Sequence, residues 1–169
     1  GEFSFDDKDE FYDTEIGGNV NVARHAMAID EHRRDFEPTI WDEKPSMDLV
    51  QVWFPGAHSN IGGSYKPDQD GSLLSDNALC WMVGEARKAG LTVEGHLEQG
   101  INGNPLATLH NSRRSFYRVK EKFHRPIDHG KGPVLIHQSV KSRWEQEPNY
   151  RPQNLKDYLN DNGWPDVFS

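Results

Sequence analysis

The stretch Met47-Asp48-Leu49-Val50-Gln51-Val52-Trp53-Phe54, followed at once by Pro55-Gly56-Ala57-His58-Ser59-Asn60-Ile61-Gly62-Gly63, decides the fold. Its first half is apolar and rich in β-branched and aromatic residues, which predicts a strand. The run is nearly continuous instead of alternating, as in a strand covered on both faces. Three glycines between Gly56 and Gly63 then permit a tight backbone that approaches something closely. Downstream, Ser75 to Ala89 reads as the clearest helix, with Ser75 as its cap, Gly90 just past its end, and Ala78, Leu79, Met82, Val83 and Ala86 as its apolar stripe. Upstream, Val22, Ala26 and Ile29, with Ala23 and Met27 beside them, recur at helical spacing. This predicts a helix from Val20 to Arg34 capped by Asn19. Strand, loop, helix is the unit of an α/β fold, whose functional groups collect beyond the C-terminal ends of the strands.

Beyond residue 90 the signal weakens. Residues 91–132 are punctuated by glycine and proline. Pro133 to His137 reads as a short strand, Ser139 to Glu147 as a helix capped by Ser139, and Asn154 to Asn162 as a helix stopped by Gly163 and Pro165. The expected organisation is an N-terminal loop or added residues (1–18), the C-terminal part of a catalytic α/β domain (19–92), and an irregular, largely helical tail packing on it (93–169).

The chain has 169 residues, 34% hydrophobic, with a mean hydropathy of -0.85. That is polar for one free-standing domain, and a part that has lost its partner surface would read the same way. Five Trp, eight Phe and five Tyr argue against disorder. A net charge of -8 disfavours nucleic acid as a partner. The lone Cys80 excludes an intrachain disulfide. No apolar run is long enough to span a bilayer, and the expected state is soluble.

His58 stands just past the strand, in the place of a general base. A histidine in such a loop more often only hydrogen-bonds the loop itself, and both roles stand at this point. In serine hydrolases of α/β architecture the histidine comes last in the chain, after a nucleophile in a Gly-x-Ser-x-Gly elbow. That pentad does not occur in the sequence, and Gly62-Gly63-Ser64-Tyr65 and Gly71-Ser72-Leu73 do not fit it. Either the chemistry differs or the nucleophile precedes residue 1. Of the other histidines, His25 and His32 would share a face of the expected helix, and His124 and His129 flank a proline-containing turn. Neither pair has zinc-ligand spacing with a third ligand, so neither a metal nor a cofactor is expected. Asp6, Asp7, Asp9 and Glu10 lack a calcium-loop pattern and read as solvated. Arg113, Arg114, Arg118, Lys120 and Lys122 form a basic patch that reads as a solvated helix face, with phosphate or headgroups as the alternative. Trp144, Trp164 and Phe168 read as packing residues, with membrane-interface insertion as the alternative.

The segment Trp53-Phe54-Pro55-Gly56-Ala57-His58-Ser59-Asn60-Ile61-Gly62-Gly63-Ser64-Tyr65 resembles the W-F-x-G-x-H-S-D-x-G-G-G-Y signature of the first lipase-effector family of type VI secretion systems. Further segments agree in order: residues 23–31, 36–41, 74–82, 136–140 and 150–155. The resemblance implies the C-terminal part of an α/β-hydrolase sheet and a Ser-Asp-His triad acting on phospholipid esters. His58 falls on the catalytic histidine, and Gly56, Ser59, Asn60, Gly62 and Gly63 on the loop supporting it. The family's serine elbow and its aspartate precede the segment corresponding to residue 1. The implied partners are a phospholipid substrate, the upstream half of the same domain and an immunity or secretion-apparatus protein. The implied location is the producer's cytoplasm with secretion into a target cell. This chain alone is expected to be inactive and to expose an apolar face where the upstream sheet packs. Asn60 stands where the family has Asp, and Ser64 where it has Gly. The alternative is a non-catalytic binding or scaffold module contacting a secretion, immunity or membrane partner.

Overall fold

The computed structural model describes residues 16–111 and 123–169. Four strands form one sheet in the order β1-β2-β3-β4, and every neighbouring pair is parallel. They are β1 (Val22–Ala28), β2 (Asp48–Phe54), β3 (Leu135–His137) and β4 (Val167–Phe168). The helices are α1 (His58–Gly62), α2 (Ser75–Lys88), α3 (Gly95–Glu98), α4 (Gln138–Gln146) and α5 (Gln153–Asn162), with a 3₁₀ turn at Arg34–Phe36. A parallel sheet with helices on it is the α/β class that the sequence predicts.

The expected helix from Val20 to Arg34 is a strand instead. Residues Val22–Ala28 pair with Asp48–Phe54 along their whole length, from Val22 opposite Asp48 to Ala28 opposite Phe54. Both faces of β1 are covered: Met27 enters one core cluster, and Ala26 packs against the other. A strand buried on both sides places apolar residues at successive positions, and here they happen to fall at helical intervals. His25 and His32 therefore share no helix face. His25 bonds Gln51 on β2 at 3.2 Å, and burial pushes its pKa down. His32 contacts His124, ring centroids 5.2 Å apart.

β2 separates two cores. Trp53 faces Met27, Ile29, Ile40, Ile127, Ile136, Val140, Tyr150 and Leu155, which brings α4 and α5 onto that side. Val52 and Phe54 face Ala78 and Trp81 of α2 on the other. The segment read as an irregular tail thus also supplies β3 and β4 to the sheet. Trp144 and Trp164 meet edge to face, centroids 5.9 Å apart, and both pack against the first core. Phe168 packs against the second.

Two expected caps are displaced by one or two residues. Leu74 is the N-cap of α2, and Ser75 is its buried first residue. His137, not Ser139, caps α4: its Nδ1 accepts the Ser139 backbone N–H at 3.1 Å. That role requires a neutral imidazole, and burial, with Phe54 stacked 4.4 Å away, depresses the His137 pKa to about 4. Unfolded, the same side chain takes up a proton as pH falls through about 6.5. Its stabilisation is therefore complete above that pH and is lost as pH falls towards 4, by roughly 2–3 kcal/mol. His137→Asn keeps a capping acceptor and removes the titration. Urea unfolding at several pH values should show a visibly flatter acid dependence for this variant, and an unchanged one contradicts the assignment.

Candidate active site

The β1–β2 register continues past the strands themselves. Ile29 N–H bonds Phe54 O at 3.1 Å, Asp30 N–H bonds Gly56 O at 3.0 Å, and the Asp30 carboxylate accepts the Gly56 N–H at 2.6 Å. The Tyr150 hydroxyl donates to that carboxylate at 3.0 Å. Burial pushes the pKa of this phenol well up, and the Asp30 charge pushes it further. Asp30 thus fixes the backbone at which β2 turns into α1, and the following residues, Glu31 and His58, meet across the sheet's C-terminal edge.

His58 is the first residue of α1, a short helix inside the segment read as a loop. Its Nδ1 lies 2.5 Å from Glu31 Oε2. Glu31 has no exposed surface, while the His58 side chain is 40% exposed, so the pair has one buried and one open end. Arg33 holds the carboxylate: its backbone N–H and Nε reach Glu31 Oε1, each at 3.0 Å, and its Nη2 reaches Oε2 at 3.2 Å. Such a forked, charge-assisted contact fixes a carboxylate in orientation as well as charge. The same Nη2 lies 2.9 Å from His58 Nδ1 and 3.4 Å from Nε2, which places it beside the ring between the nitrogens and off either lone-pair axis. Phe36 stacks on the imidazole at 4.5 Å between centroids, and the Arg33 guanidinium sits 3.8 Å from the centre of that phenyl ring. On the open side, Ser59 Oγ lies 2.9 Å from His58 Nε2.

The supporting residues divide by what they touch. Gly56 has φ +111°, and a Cβ there would stand 2.4 Å from the Cβ of Asn60. Both atoms are fixed to backbone, so only glycine fits. Gly56→Ala should destabilise the 169-residue chain by roughly 2–4 kcal/mol in urea unfolding; an unchanged midpoint contradicts this. Gly63, at φ +87°, ends α1 and needs glycine for its conformation alone, whereas a Cβ at Gly62 meets nothing within 4 Å. Ser64, in place of the family's glycine, is the one described non-glycine residue at positive φ, +108°. Asn60 is buried and braces the turn: Oδ1 accepts from the Ala57 and His110 N–H groups at 3.3 Å, and Nδ2 donates to Thr108 O at 3.4 Å. An aspartate could not make the donated bond. The amide therefore suits the scaffold here.

Sequence reasoning singles out His58 and its glycines but not Glu31, Arg33, Phe36 and Arg125, which the fold brings to the same edge. Arg125 is buried, donates to the carbonyls of Ala28 and Phe36, and so ties the end of β1 to the turn that carries Phe36. Burial lowers its pKa to about 10 against the pull of Glu31, leaving it charged at neutral pH. A signal for Glu31 exists: read as a strand, Val22–Ala28 puts Asp30-Glu31 just past a C-terminal end, beside His58. The acidic residues Asp6, Asp7, Asp9 and Glu10 and the basic residues Arg113, Arg114, Arg118, Lys120 and Lys122 lie outside the described residues. Among the described residues no group of three or more His, Cys, Asp or Glu is placed to hold a metal. No helix of the described residues is long and apolar enough to cross a membrane.

The class that the fold defines is α/β: a parallel sheet with an imidazole and a buried carboxylate gathered at its C-terminal edge. Over residues 2–85, which contain β1, β2, Glu31 and His58, the chain matches the family described as the type VI secretion (T6SS) phospholipase effector Tle1-like catalytic domain. It is also 44% identical over 45 residues to a Saccharomyces cerevisiae protein named "Uncharacterized protein YEL023C". That match covers 26% of this chain and 7% of the yeast protein. No solved structure matches the chain.

Proposed function

We propose that the chain is the histidine-bearing part of a phospholipase that hydrolyses carboxylic esters of phospholipids by a serine mechanism. The observation that carries this reading is the row formed at the sheet edge: buried Glu31 carboxylate, His58 imidazole, and a hydroxyl at 2.9 Å from Nε2. The proton between Nδ1 and a carboxylate oxygen 2.5 Å away leaves Nε2 with its lone pair directed at the hydroxyl. That is the state in which an imidazole can accept a proton from an attacking alcohol. Ser59 holds this position within the chain. In the proposal a serine from sequence preceding residue 1, carried on the elbow absent here, takes its place and attacks the acyl carbonyl. His58 Nε2 accepts the serine proton and then delivers it to the departing lysophospholipid alcohol. Water, deprotonated in turn by Nε2, releases the fatty acid. The resemblance brings an aspartate from the same preceding sequence; the carboxylate that meets Nδ1 within this chain is Glu31.

Attachment of a preceding half-domain is supported by a groove of about 580 Å³ whose lining includes an apolar part, Ala26, Ile61, Ala78, Leu79 and Met82, beside Arg24 and Asp76, with Leu79 46% exposed. The phospholipid, that half-domain, and an immunity or secretion-apparatus partner are accordingly the proposed partners, and secretion from a producer into a target cell is the proposed route. The test is the product released from phospholipid vesicles by the chain extended through its preceding sequence. Free fatty acid with lysophospholipid supports acyl-ester hydrolysis. Release of a phosphorylated headgroup, or of nothing, overturns it.

A further inference from the structure

We infer that Glu31, clamped by Arg33, is the positioning carboxylate that sets the tautomer of His58, a part that the family pattern gives to an aspartate elsewhere. The inference rests on the reading of His58 as a base, and goes beyond it by assigning the residue that orients it.

Three features separate Glu31 from an ordinary surface ion partner. It is fully buried, so it cannot swing away to solvent. Its two oxygens are committed unequally: Oε1 accepts two Arg33 N–H groups, whereas Oε2 accepts one from Arg33 and faces His58 Nδ1 at 2.5 Å. And its position follows from the register of two paired strands, because Ile29 and Asp30 are bonded to Phe54 and Gly56 just before it. A neutral histidine side chain free in water favours a proton on Nε2. A carboxylate at Nδ1 reverses that preference, and only the reversed form presents a lone pair at the open side. Phe36 on one ring face and Arg33 beside the nitrogens restrict rotation of the ring about its Cβ–Cγ bond. The geometry thus fixes both the ring's direction and which nitrogen carries hydrogen, using residues within the family-matched segment alone.

Glu31→Gln discriminates sharply, because it keeps the shape of the side chain. The amide oxygen should take the place of Oε1, where two donors wait. That leaves the NH₂ group facing Nδ1, which must then be bare, at the loss of the single Arg33 Nη2 contact made at that oxygen. The tautomer flips with the fold unchanged. The first measurement uses the 169-residue chain itself, with ¹⁵N-labelled histidine and two-bond ¹H–¹⁵N spectra at about pH 8.5, where a free imidazole is neutral. The His58 signal is assigned by its loss in His58→Gln. We expect hydrogen on Nδ1 in the wild type and on Nε2 in Glu31→Gln, with the other histidine signals in place. Hydrogen on Nε2 in the wild type, or the same tautomer in both, overturns the inference. Glu31→Ala serves as the second variant and should give the Nε2 form as well.

The second measurement uses the chain extended through its preceding sequence. Glu31→Gln should lower kcat roughly 10³-fold with KM little changed, the pattern of a lost orientation. An active wild type whose Glu31→Gln variant stays within about tenfold overturns the inference and leaves the phospholipase reading intact, with another carboxylate as the orienter. An inactive extended wild type removes the phospholipase reading, and the tautomer result then decides the role of Glu31 alone.

Discussion

His58→Ala, made in the chain extended through its preceding sequence, should lower the turnover of phospholipid esters by about 10³-fold or more, with little change in KM. The effect is large because, in the proposed mechanism, one imidazole performs two proton transfers. Without it the attacking serine keeps its proton, and the departing alcohol leaves as an unfavourable alkoxide. What remains is the contribution of substrate positioning and of hydrogen bonds to the oxyanion. The structure gives reason to expect an intact fold. The His58 side chain is 40% exposed, and Phe36, which stacks on it, is itself 39% exposed. Truncation leaves Glu31 paired with Arg33, so no buried charge is orphaned. Steady-state kinetics beside a thermal melt check both halves of the expectation. A loss below about tenfold with an unchanged melt removes His58 from the chemistry.

The largest stability effect should come from Trp53→Ala, about 3–5 kcal/mol in urea unfolding. Trp53 is 1% exposed at the centre of the larger core, between β1, β3, α4 and α5. Its indole N–H donates to the Ile127 carbonyl at 3.1 Å, and its ring stacks on His129 with centroids 5.7 Å apart. Truncation therefore removes packing for Met27, Ile29 and Ile136 and leaves a buried carbonyl short of its donor. The consequence reaches the site. Phe54, next along β2, and Ile29, next to Asp30, carry the bonds that align Glu31 with His58. A loss below about 1 kcal/mol would show that the core does not depend on this residue.

These two predictions also mark what the sequence makes legible. β2 is plain in it, because a run such as Leu49-Val50-Gln51-Val52-Trp53-Phe54 suits a strand covered on both faces and the glycines that follow suit a turn. His58 is plain for the same reason, being the polar group just past that strand. β1 is not legible, because Ala23, Ala26 and Met27 are small or unbranched and, together with Val22 and Ile29, fall at a spacing that satisfies a helix template. The competing fact, pairing with β2 along the whole strand, is a long-range one that no local pattern carries. That single misreading hides Glu31, which looks like a mid-helix acid until the strand end places it. Arg125 and Tyr150 are hidden differently. They lie far along the chain and reach the site only through tertiary packing, Arg125 at the Ala28 carbonyl and Tyr150 at the Asp30 carboxylate. β4 is too short, at Val167–Phe168, to leave a pattern.

The family resemblance makes two departures visible, and the structure separates their meanings. Asn60 uses its amide as both donor and acceptor to hold the turn to Thr108, Ala57 and His110, contacts that an aspartate could make only in part. Ser64 pays for its side chain with a φ of +108°, a conformation in which glycine costs less.

The most direct test is fatty-acid release from phosphatidylcholine vesicles by two proteins side by side: the 169-residue chain, and the same chain extended through its preceding sequence. Release by the extended chain and none by the 169-residue chain is the result expected if His58 awaits a serine from outside it. Release by the 169-residue chain, or by neither, would contradict that account.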